Sequence, residues 1–204
     1  MKCKCFEPII DKNSKILILG TMPGNISLEN SKKSNKPDYY SNFSKNQFWK
    51  IIAKVFNADF ENIKKGDYKK RINLLLKNGI ALWDIIKKCE REETSSDRDI
   101  KEKTIKYNNI EAKIKKYNNI KTIITNGKGF AFEHFRKGIG HFREIKGMTP
   151  PSLKHNKNKF GTYYTWNEIE VYPLHATINY ISDKEKQRWV DLIKEKCIKQ
   201  PRKK

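Results

Sequence analysis

Four short runs of Ile, Leu, Val and aromatic residues alternate with helical patterns along this chain, and this alternation constrains its fold most. The runs cover residues 15–19, 79–83, 121–125 and 169–172. Strands separated by helices are joined by crossovers, which favour parallel pairing and right-handed connections. The sequence therefore predicts an α/β fold, a three-layer α/β/α sandwich with a central, mostly parallel four-stranded sheet.

The helical patterns place apolar residues three or four positions apart. Helices are predicted over residues 48–56, 68–78, 109–117, 129–136 and 182–198. Residues 31–38 and 138–160 are polar or rich in Gly, Pro and Lys, with little periodicity, and are predicted to be surface insertions. Together these patterns predict a single domain over residues 1–204.

The carboxyl ends of parallel strands lie at one edge of a sheet, where open α/β folds bind ligands. The residues that follow the predicted strands are Gly20-Thr21-Met22-Pro23-Gly24, Asp84, Asn126-Gly127 and the segment 173–179. Residues far apart in the sequence should therefore meet in one cleft. Tyr39-Tyr40 and Asn46-Gln47-Phe48-Trp49 follow the first strand end. Aromatic and amide side chains together suit a flat ring with polar edges, such as a nucleobase.

The charge balance indicates a polyanionic partner. The chain has 44 Lys and Arg residues against 23 Asp and Glu residues, a formal net charge of +21. Such a surface attracts nucleic acid. The excess is mostly lysine and accompanies abundant Asn and Ile, so AT-rich coding accounts for part of it.

Other classes of protein receive no support from the sequence. Neither an apolar run of about 20 residues nor the apolar centre of a secretory signal is present, so we expect a cytoplasmic protein without a membrane partner. The four cysteines are Cys3, Cys5, Cys89 and Cys197, without a Cys-x-x-Cys pair. Because Cys89 and Cys197 fall in helical patterns, no metal and no other cofactor is expected.

Three blocks of sequence follow one another in an order typical of one family. They are residues 18–24 with Ser27, Tyr39-Tyr40 and Asn46-Gln47-Phe48-Trp49, residues 79–86 with Cys89-Glu90-Arg91-Glu92 and Ser95-Ser96-Asp97, and Thr125-Asn126-Gly127-Lys128. Their order and spacing resemble the uracil-DNA glycosylase superfamily, most closely its hypoxanthine-DNA (deoxyinosine) branch. The resemblance implies a monomeric, monofunctional DNA glycosylase. Such an enzyme excises deaminated bases, hypoxanthine first and uracil second, and leaves an abasic site.

The resemblance implies a catalytic role for Asn46. In related uracil and mismatch enzymes, an Asp or Asn two residues after the first motif glycine handles the water, whereas this chain has Met22 there. The hypoxanthine branch also lacks that side chain and relies on the Asn before Phe-Trp. Asn46 also suits the N-cap of the helix that starts near Phe48, and both roles are compatible only if part of its amide stays free.

The resemblance also implies a pocket built from the first block. Gly20, Thr21 and Met22 would line it, and Tyr40 matches the aromatic residue on which the flipped base stacks. Ordinary core packing is the alternative for Tyr40. Phe48 is predicted to be a wall of this pocket and its neighbour Trp49 to be core.

Two polar residues at strand ends are candidate base readers. Asp84 stands where relatives place a base-reading Asn, but an ionised Asp can accept the ring N–H of hypoxanthine and cannot donate to its carbonyl. A strand-to-helix N-cap before Ile85 is its alternative. Asn126 offers both a donor and an acceptor, which makes it the better reader, and a plain Asn-Gly turn is its alternative.

The last block departs most from the family pattern. The hypoxanthine branch has Leu-Pro-Ser-Thr-Ser-Pro-Ala, a loop that grips phosphates. This chain has Pro173-Leu174-His175-Ala176-Thr177, predicted to contact DNA. Leu174 is predicted to be the wedge, the apolar side chain that fills the space left by the flipped base. His175 is predicted to donate to a phosphate or to the departing base, with simple exposure as its alternative.

Two rival functions stay open on the sequence. A mismatch-specific uracil-DNA glycosylase would share the Asn46-x-Phe48-Trp49 block. A catalytically inactive nucleic-acid-binding protein of the same fold would explain Met22 and the altered last block.

Overall fold

The predicted strands form the centre of a larger sheet in the structure, a computed structural model that describes residues 1–92, 96–144 and 152–198. The strands are β1 (Lys2–Lys4), β2 (Ile16–Gly20), β3 (Ile80–Asp84), β4 (Ile86–Glu90), β5 (Lys106–Tyr107), β6 (Thr122–Asn126), β7 (Lys154–Asn158), β8 (Gly161–Trp166) and β9 (Ile169–Leu174). The helices are α1 (Asn25–Ser34), α2 (Phe48–Phe56), α3 (Phe60–Lys65), α4 (Tyr68–Lys77), α5 (Ile110–Lys116), α6 (Phe130–Glu144) and α7 (Asp183–Ile198). Among the described residues, no helix combines the length and the apolar composition that a membrane crossing requires.

The central sheet has six strands in the order β3-β2-β6-β9-β8-β7. The first four are mutually parallel, while β8 and β7 are antiparallel additions at one edge. The predicted α/β class, with a mostly parallel sheet between helices, is confirmed. The predicted number of strands, four, is too low by the β7–β8 hairpin.

The first strand of the missed hairpin lies in a segment predicted to be a loop, and the second, β8, follows that segment directly. The insertion predicted at 138–160 instead contains the end of α6 and all of β7, although residues 145–151 lie outside the described part. β7 is a polar edge strand, Lys-His-Asn-Lys-Asn, with four of its five residues exposed, so it has no apolar alternation to detect. The insertion predicted at 31–38 likewise begins inside α1, which ends at the left-handed Asn35.

Helices cover both faces of the sheet because its central strands are apolar on both sides. All five residues of β2 are buried. One face packs against α2 and α7, with Phe48, Ile52 and Trp189 in its core. The other face packs against α5 and α6, with Ile114 and Phe135 in its core. This is the three-layer arrangement predicted from the sequence.

A small antiparallel sheet, β1-β4-β5, follows directly on the end of β3. Cys89 lies in β4, in register with Cys3, so the helical pattern predicted there is wrong. The backbone N–H groups of Ile85 and Ile86 donate to the carbonyls of Gly20 and Thr21. The small sheet is thereby fixed against the loop that follows β2.

Candidate active site

The last residues of the four parallel strands form a row across the sheet. Gly20 pairs in register with Asp84, and Asn126 pairs with Leu174. Side chains alternate between the faces of a strand, so all four residues belong to the face covered by α2 and α7. A Cβ added to Gly20 would lie 2.7 Å from Asp84 Oδ1 and 3.1 Å from the Tyr40 hydroxyl. Glycine therefore lets these two polar groups approach the strand end.

Asp84 is a buried acid in this row. Its side chain is 2% exposed, and Oδ2 makes no hydrogen bond within the described residues. Burial raises the pKa of Asp84 well above its ordinary value, and the nearby Asp97 raises it further. The carboxyl group thus favours its neutral form, which can donate as well as accept. The N-cap alternative is wrong, because β4 and not a helix follows Asp84.

Tyr40 covers this acid. Its ring lies on that of Phe48, with centroids 4.3 Å apart, and its hydroxyl is buried without a hydrogen-bond partner in the described residues. The backbone of Tyr40 is left-handed, with φ of 56°, an uncommon conformation for a bulky residue. Phe48 and Trp49 are both buried, so Phe48 supports Tyr40 from behind and does not line an open pocket in this conformation.

Asn46 lies at the start of α2 with one end of its amide engaged. Its Oδ1 accepts from the Phe48 backbone N–H at 2.9 Å and from Thr177 Oγ1 at 3.0 Å. The capping alternative is therefore present as a local contact, although Gln47 occupies the N-cap position. The amide nitrogen of Asn46 makes no hydrogen bond among the described residues, so it is the free part that a catalytic role requires.

The amide of Asn126 is used to hold Thr177. Its Nδ2 donates to Thr177 Oγ1 at 3.0 Å, and its Oδ1 accepts from the Thr177 backbone N–H at 2.8 Å. Because both ends of the amide have a partner, Asn126 is less free to read a base than the sequence suggested. Thr177 itself is fully buried, so its side chain is not available to a phosphate.

The loop after β9 places the other predicted DNA contacts differently. Leu174 is fully buried as the last residue of β9, so the prediction that it is a wedge is wrong. Pro173 is also buried in β9, and Ala176 is partly buried beside Gly127. The large apolar side chains that this loop does expose are Ile178, at 44%, and Tyr180, at 89%.

Three further predicted site residues contact side chains other than Asn46 and Asp84. They are His175, Thr21 and Met22. His175 Nε2 lies 3.4 Å from Glu185 Oε1 on α7, and no hydrogen bond joins its side chain to Asn46 in the described structure. Thr21 is hydrogen-bonded to Asp97. This bond lowers the pKa of Asp97, but burial raises that pKa by more. Met22 packs in the apolar cluster of the small sheet, which explains why a methionine suits that position.

Arg91 and Asp97, both in the second block, contact the loop that follows β2. Arg91 is fully buried and donates to the Pro23 carbonyl at 3.1 Å and to Asn25 Oδ1 at 2.7 Å. The burial of Arg91 could not be predicted from the sequence, because an Arg in a polar segment is usually exposed. Within the described residues, no three side chains of His, Cys, Asp or Glu gather closely enough to hold a metal ion.

Two adjoining cavities beside the small sheet are basic. They have volumes of about 490 and 600 Å³ and share Lys4, Lys87 and Tyr107. The first also contains Trp83, which is the neighbour of Asp84 on the opposite face of β3. The six lysines that line the two cavities are Lys4, Lys87, Lys88, Lys106, Lys113 and Lys116.

Comparisons with known proteins agree with this architecture. A family model described as the uracil DNA glycosylase superfamily matches residues 7–195. A hypoxanthine DNA glycosylase from Methanosarcina barkeri is 31% identical over 163 residues, covering 78% of this chain and 95% of that protein. A second, from Methanosarcina acetivorans, is 30% identical over 141 residues, covering 69% of this chain and 81% of its own length.

A solved structure shares the fold. It is an NMR structure provisionally described as a uracil DNA glycosylase from Methanosarcina acetivorans, with a TM-score of 0.63 and 21% identity. The alignment covers 96% of this chain and 99% of that one. At this identity the likeness shows the fold, whereas the family model and the two sequence relatives show the family. The chain belongs to the uracil DNA glycosylase superfamily.

Proposed function

We propose that this protein is a monofunctional DNA glycosylase that excises deaminated bases, hypoxanthine first and uracil second. Its membership of the superfamily makes it a DNA glycosylase. The names of its two relatives support hypoxanthine as the first substrate. Among the structural features, the buried acid Asp84 at the end of β3, beside the gap at Gly20, carries this proposal.

Asp84 suits the edge that deaminated bases share. Hypoxanthine and uracil present a carbonyl beside a ring N–H. A neutral carboxyl can donate to that carbonyl and accept from that N–H, whereas a carboxylate would repel the carbonyl. The flipping cost adds selectivity, because a mismatched base leaves the stack more easily than a paired one.

The Tyr40 ring supports a flipped base. It is partly exposed on one side and rests on Phe48 on the other. Stacking of a base on an aromatic ring contributes about 1–3 kcal/mol. Because the Tyr40 hydroxyl lies over Gly20 near Asp84, a base that reaches Asp84 must displace this hydroxyl.

The proposed reaction is a hydrolysis without a covalent enzyme intermediate. The bond between C1′ of the deoxyribose and the base nitrogen breaks, and its electron pair leaves with the base. Water adds its oxygen to C1′, and one of its protons ends on the base. The products are a free base and an abasic site. Groups that donate hydrogen bonds to the departing base lower this barrier.

We assign contact with DNA to the loop after β9 and to the lysine-lined surface beside the small sheet. Because Leu174 is buried, we assign the wedge to the exposed side chains of Ile178 and Tyr180. Such side chains fill the hole in the stack while the base is flipped out.

The test is a panel of oligonucleotides, single-stranded and duplex, each with one deoxyinosine, uracil, xanthine or mismatched thymine. We expect alkali-labile sites first at deoxyinosine and second at uracil, in the presence of chelator. Cleavage confined to mismatched uracil would instead support the mismatch-specific alternative. DNA binding without cleavage of any base would support the inactive binding protein.

A further inference from the structure

The hydrogen-bond directions around Thr177 follow from chemistry alone. A backbone N–H can only donate, so the Asn46 atom 2.9 Å from the Phe48 N–H is its oxygen. For the same reason, the Asn126 atom 2.8 Å from the Thr177 N–H is an oxygen. Asn126 Nδ2 must then be the atom that donates to Thr177 Oγ1. The Thr177 hydroxyl directs its own proton to Asn46 Oδ1, at 3.0 Å.

This arrangement leaves Asn46 with one functional end. Its oxygen has two lone pairs, and the Phe48 N–H and the Thr177 hydroxyl occupy both. Its Nδ2 carries two N–H groups and has no partner among the described residues. Asn46 can therefore donate to a substrate, while it has no acceptor left for a proton of the attacking water.

The backbone clamps this network in place. The Gln47 N–H donates to the Thr177 carbonyl at 2.7 Å, and the Asn179 N–H donates to the Lys45 carbonyl at 2.6 Å. Asn46 and Ile178 also form an isolated antiparallel bridge. The loop after β9 and the start of α2 are thus held together around the Thr177 side chain.

We propose that Thr177 is a positioning residue that fixes the Asn46 amide with its N–H groups toward the substrate, so that Asn46 acts as a hydrogen-bond donor to the departing base. This inference rests on the proposed glycosylase function. In the hydrolysis, Asn46 transfers no proton. Its N–H stabilises the electron pair that leaves with the base, while water supplies the oxygen to C1′ and the proton to the base. Preorganised donors of this kind act because charge develops where they already point.

The first experiment compares Thr177→Val with Thr177→Ser in single-turnover cleavage of a deoxyinosine duplex. Valine keeps the shape and removes the hydroxyl, so we expect the cleavage rate to fall about tenfold to a hundredfold, with DNA affinity unchanged. Serine keeps the hydroxyl and should retain a rate near wild type. Adding Thr177→Val to Asn46→Ala should lower the rate no further, because the residue that it positions is gone. Equal losses in the serine and valine variants, or additive losses in the double variant, would overturn the positioning role.

The second experiment tests the donor role with Asn46→Asp, which has nearly the same shape and no N–H. We expect it to be as slow as Asn46→Ala. A rate equal to or above wild type would show that Asn46 acts as an acceptor for water, and would overturn the inference. This comparison needs no change at Thr177, so it stands even if Thr177→Val does not fold.

A third measurement separates this inference from the proposed function. In ¹⁵N-labelled protein, the side-chain amide signals of Asn46 and Asn126 should shift in Thr177→Val and stay near their wild-type positions in Thr177→Ser. Unshifted signals in the valine variant would contradict the network directly. Wild-type protein that cleaves no base, with the signals shifting as expected, would instead overturn the proposed function and, with it, the donor role of Asn46.

Discussion

At the scale of single residues, the site depends on groups that are buried without full hydrogen bonding. Asp84 Oδ2 and the Tyr40 hydroxyl both lack partners in the described structure. The other carboxyl oxygen of Asp84, Oδ1, and the Tyr40 hydroxyl both lie beside Gly20. Unsatisfied buried polar atoms cost free energy and are found where a ligand completes them. The absence of a side chain at Gly20 is what gives both groups access to the same point.

We expect Gly20→Ala to slow cleavage strongly with little loss of folding stability. The new Cβ would lie 2.7 Å from Asp84 Oδ1 and 3.1 Å from the Tyr40 hydroxyl, so both side chains must shift. The rate should fall about a hundredfold, because displacing the groups of an active site by about 1 Å can slow a reaction by that factor. Single-turnover cleavage and thermal unfolding measure the two effects, and Ala53→Gly in α2 is a control for unrelated backbone changes. Normal cleavage by Gly20→Ala would show that the strand end does not contact the base.

The raised pKa of Asp84 predicts how stability depends on pH. Burial makes the folded pKa higher than the unfolded one, so between these two values the folded protein binds more protons. The contribution of Asp84 to stability is therefore present below its ordinary pKa of 3.8 and is lost as pH rises toward the folded pKa. Asp84→Asn removes this dependence and keeps a donor and an acceptor.

We accordingly expect Asp84→Asn to unfold at a higher temperature than wild type at pH 8, with a smaller difference at pH 5. Cleavage of deoxyinosine should persist in this variant, whereas Asp84→Leu should lose it. The exposed Asp191→Asn on α7 is the matched control and should change neither property. If the unfolding temperatures of wild type and Asp84→Asn change with pH in the same way, the pKa of Asp84 is not raised in the folded protein.

At the scale of elements, the loop after β9 was the part that the sequence described least well. The strand predicted over 169–172 continues to Leu174, and alternation places Leu174 on the same buried face as Tyr172. The family resemblance predicts a wedge at Leu174 because a strand that ended at residue 172 would leave Leu174 in the loop. Because the strand is two residues longer than predicted, Leu174 is buried, and the exposed apolar side chains of the loop are those of Ile178 and Tyr180.

Leu174→Ala and Tyr180→Ala should separate stability from function. Removing the buried Leu174 side chain should cost about 2–5 kcal/mol of folding free energy. Tyr180 is 89% exposed, so its removal should leave unfolding unchanged and slow base flipping and cleavage. Chemical denaturation and single-turnover cleavage distinguish the two variants. A Tyr180→Ala enzyme with wild-type turnover would leave Ile178 as the wedge to test.

Sequence patterns predicted the parallel core and failed where packing was not apolar. Runs such as residues 16–19 are buried on both faces, so their composition alone indicates a central strand. β7 and the small sheet are short or polar and gain their structure from hydrogen bonds to neighbouring strands, which leave no periodic signal. The hydrogen bonds of Thr177 could not be predicted for another reason. They join Thr177 to Asn126 and Asn46, which are 51 and 131 positions away in the chain.

At the scale of the whole molecule, part of the positive charge behind the formal net charge of +21 is concentrated at one surface. Six lysines from β1, β4, β5 and α5 line the two cavities beside the small sheet. None of the six forms a salt bridge within the described residues, whereas Lys137 and Lys186 do. Trp83 and Asp84 are adjacent on β3 but face opposite sides of the sheet, so this basic surface lies across the end of β3 from the place where the base is proposed to bind.

We expect replacement of Lys87 and Lys113 by Gln to weaken DNA binding and its dependence on salt, while cleavage of bound DNA stays near wild type. Each phosphate contact contributes about 0.9 to the slope of log affinity against log salt, so two contacts should lower that slope by about 2. Lys77→Gln is the matched control. Lys77 is exposed at the end of α4, near the amino end of β3, whereas the proposed site lies at the carboxyl ends of the parallel strands. Fluorescence anisotropy at several salt concentrations measures the slopes. If the Lys77 variant and the double variant change equally, the charge acts as a diffuse field of the whole surface, and the excess of lysine at the small sheet has no special part in docking.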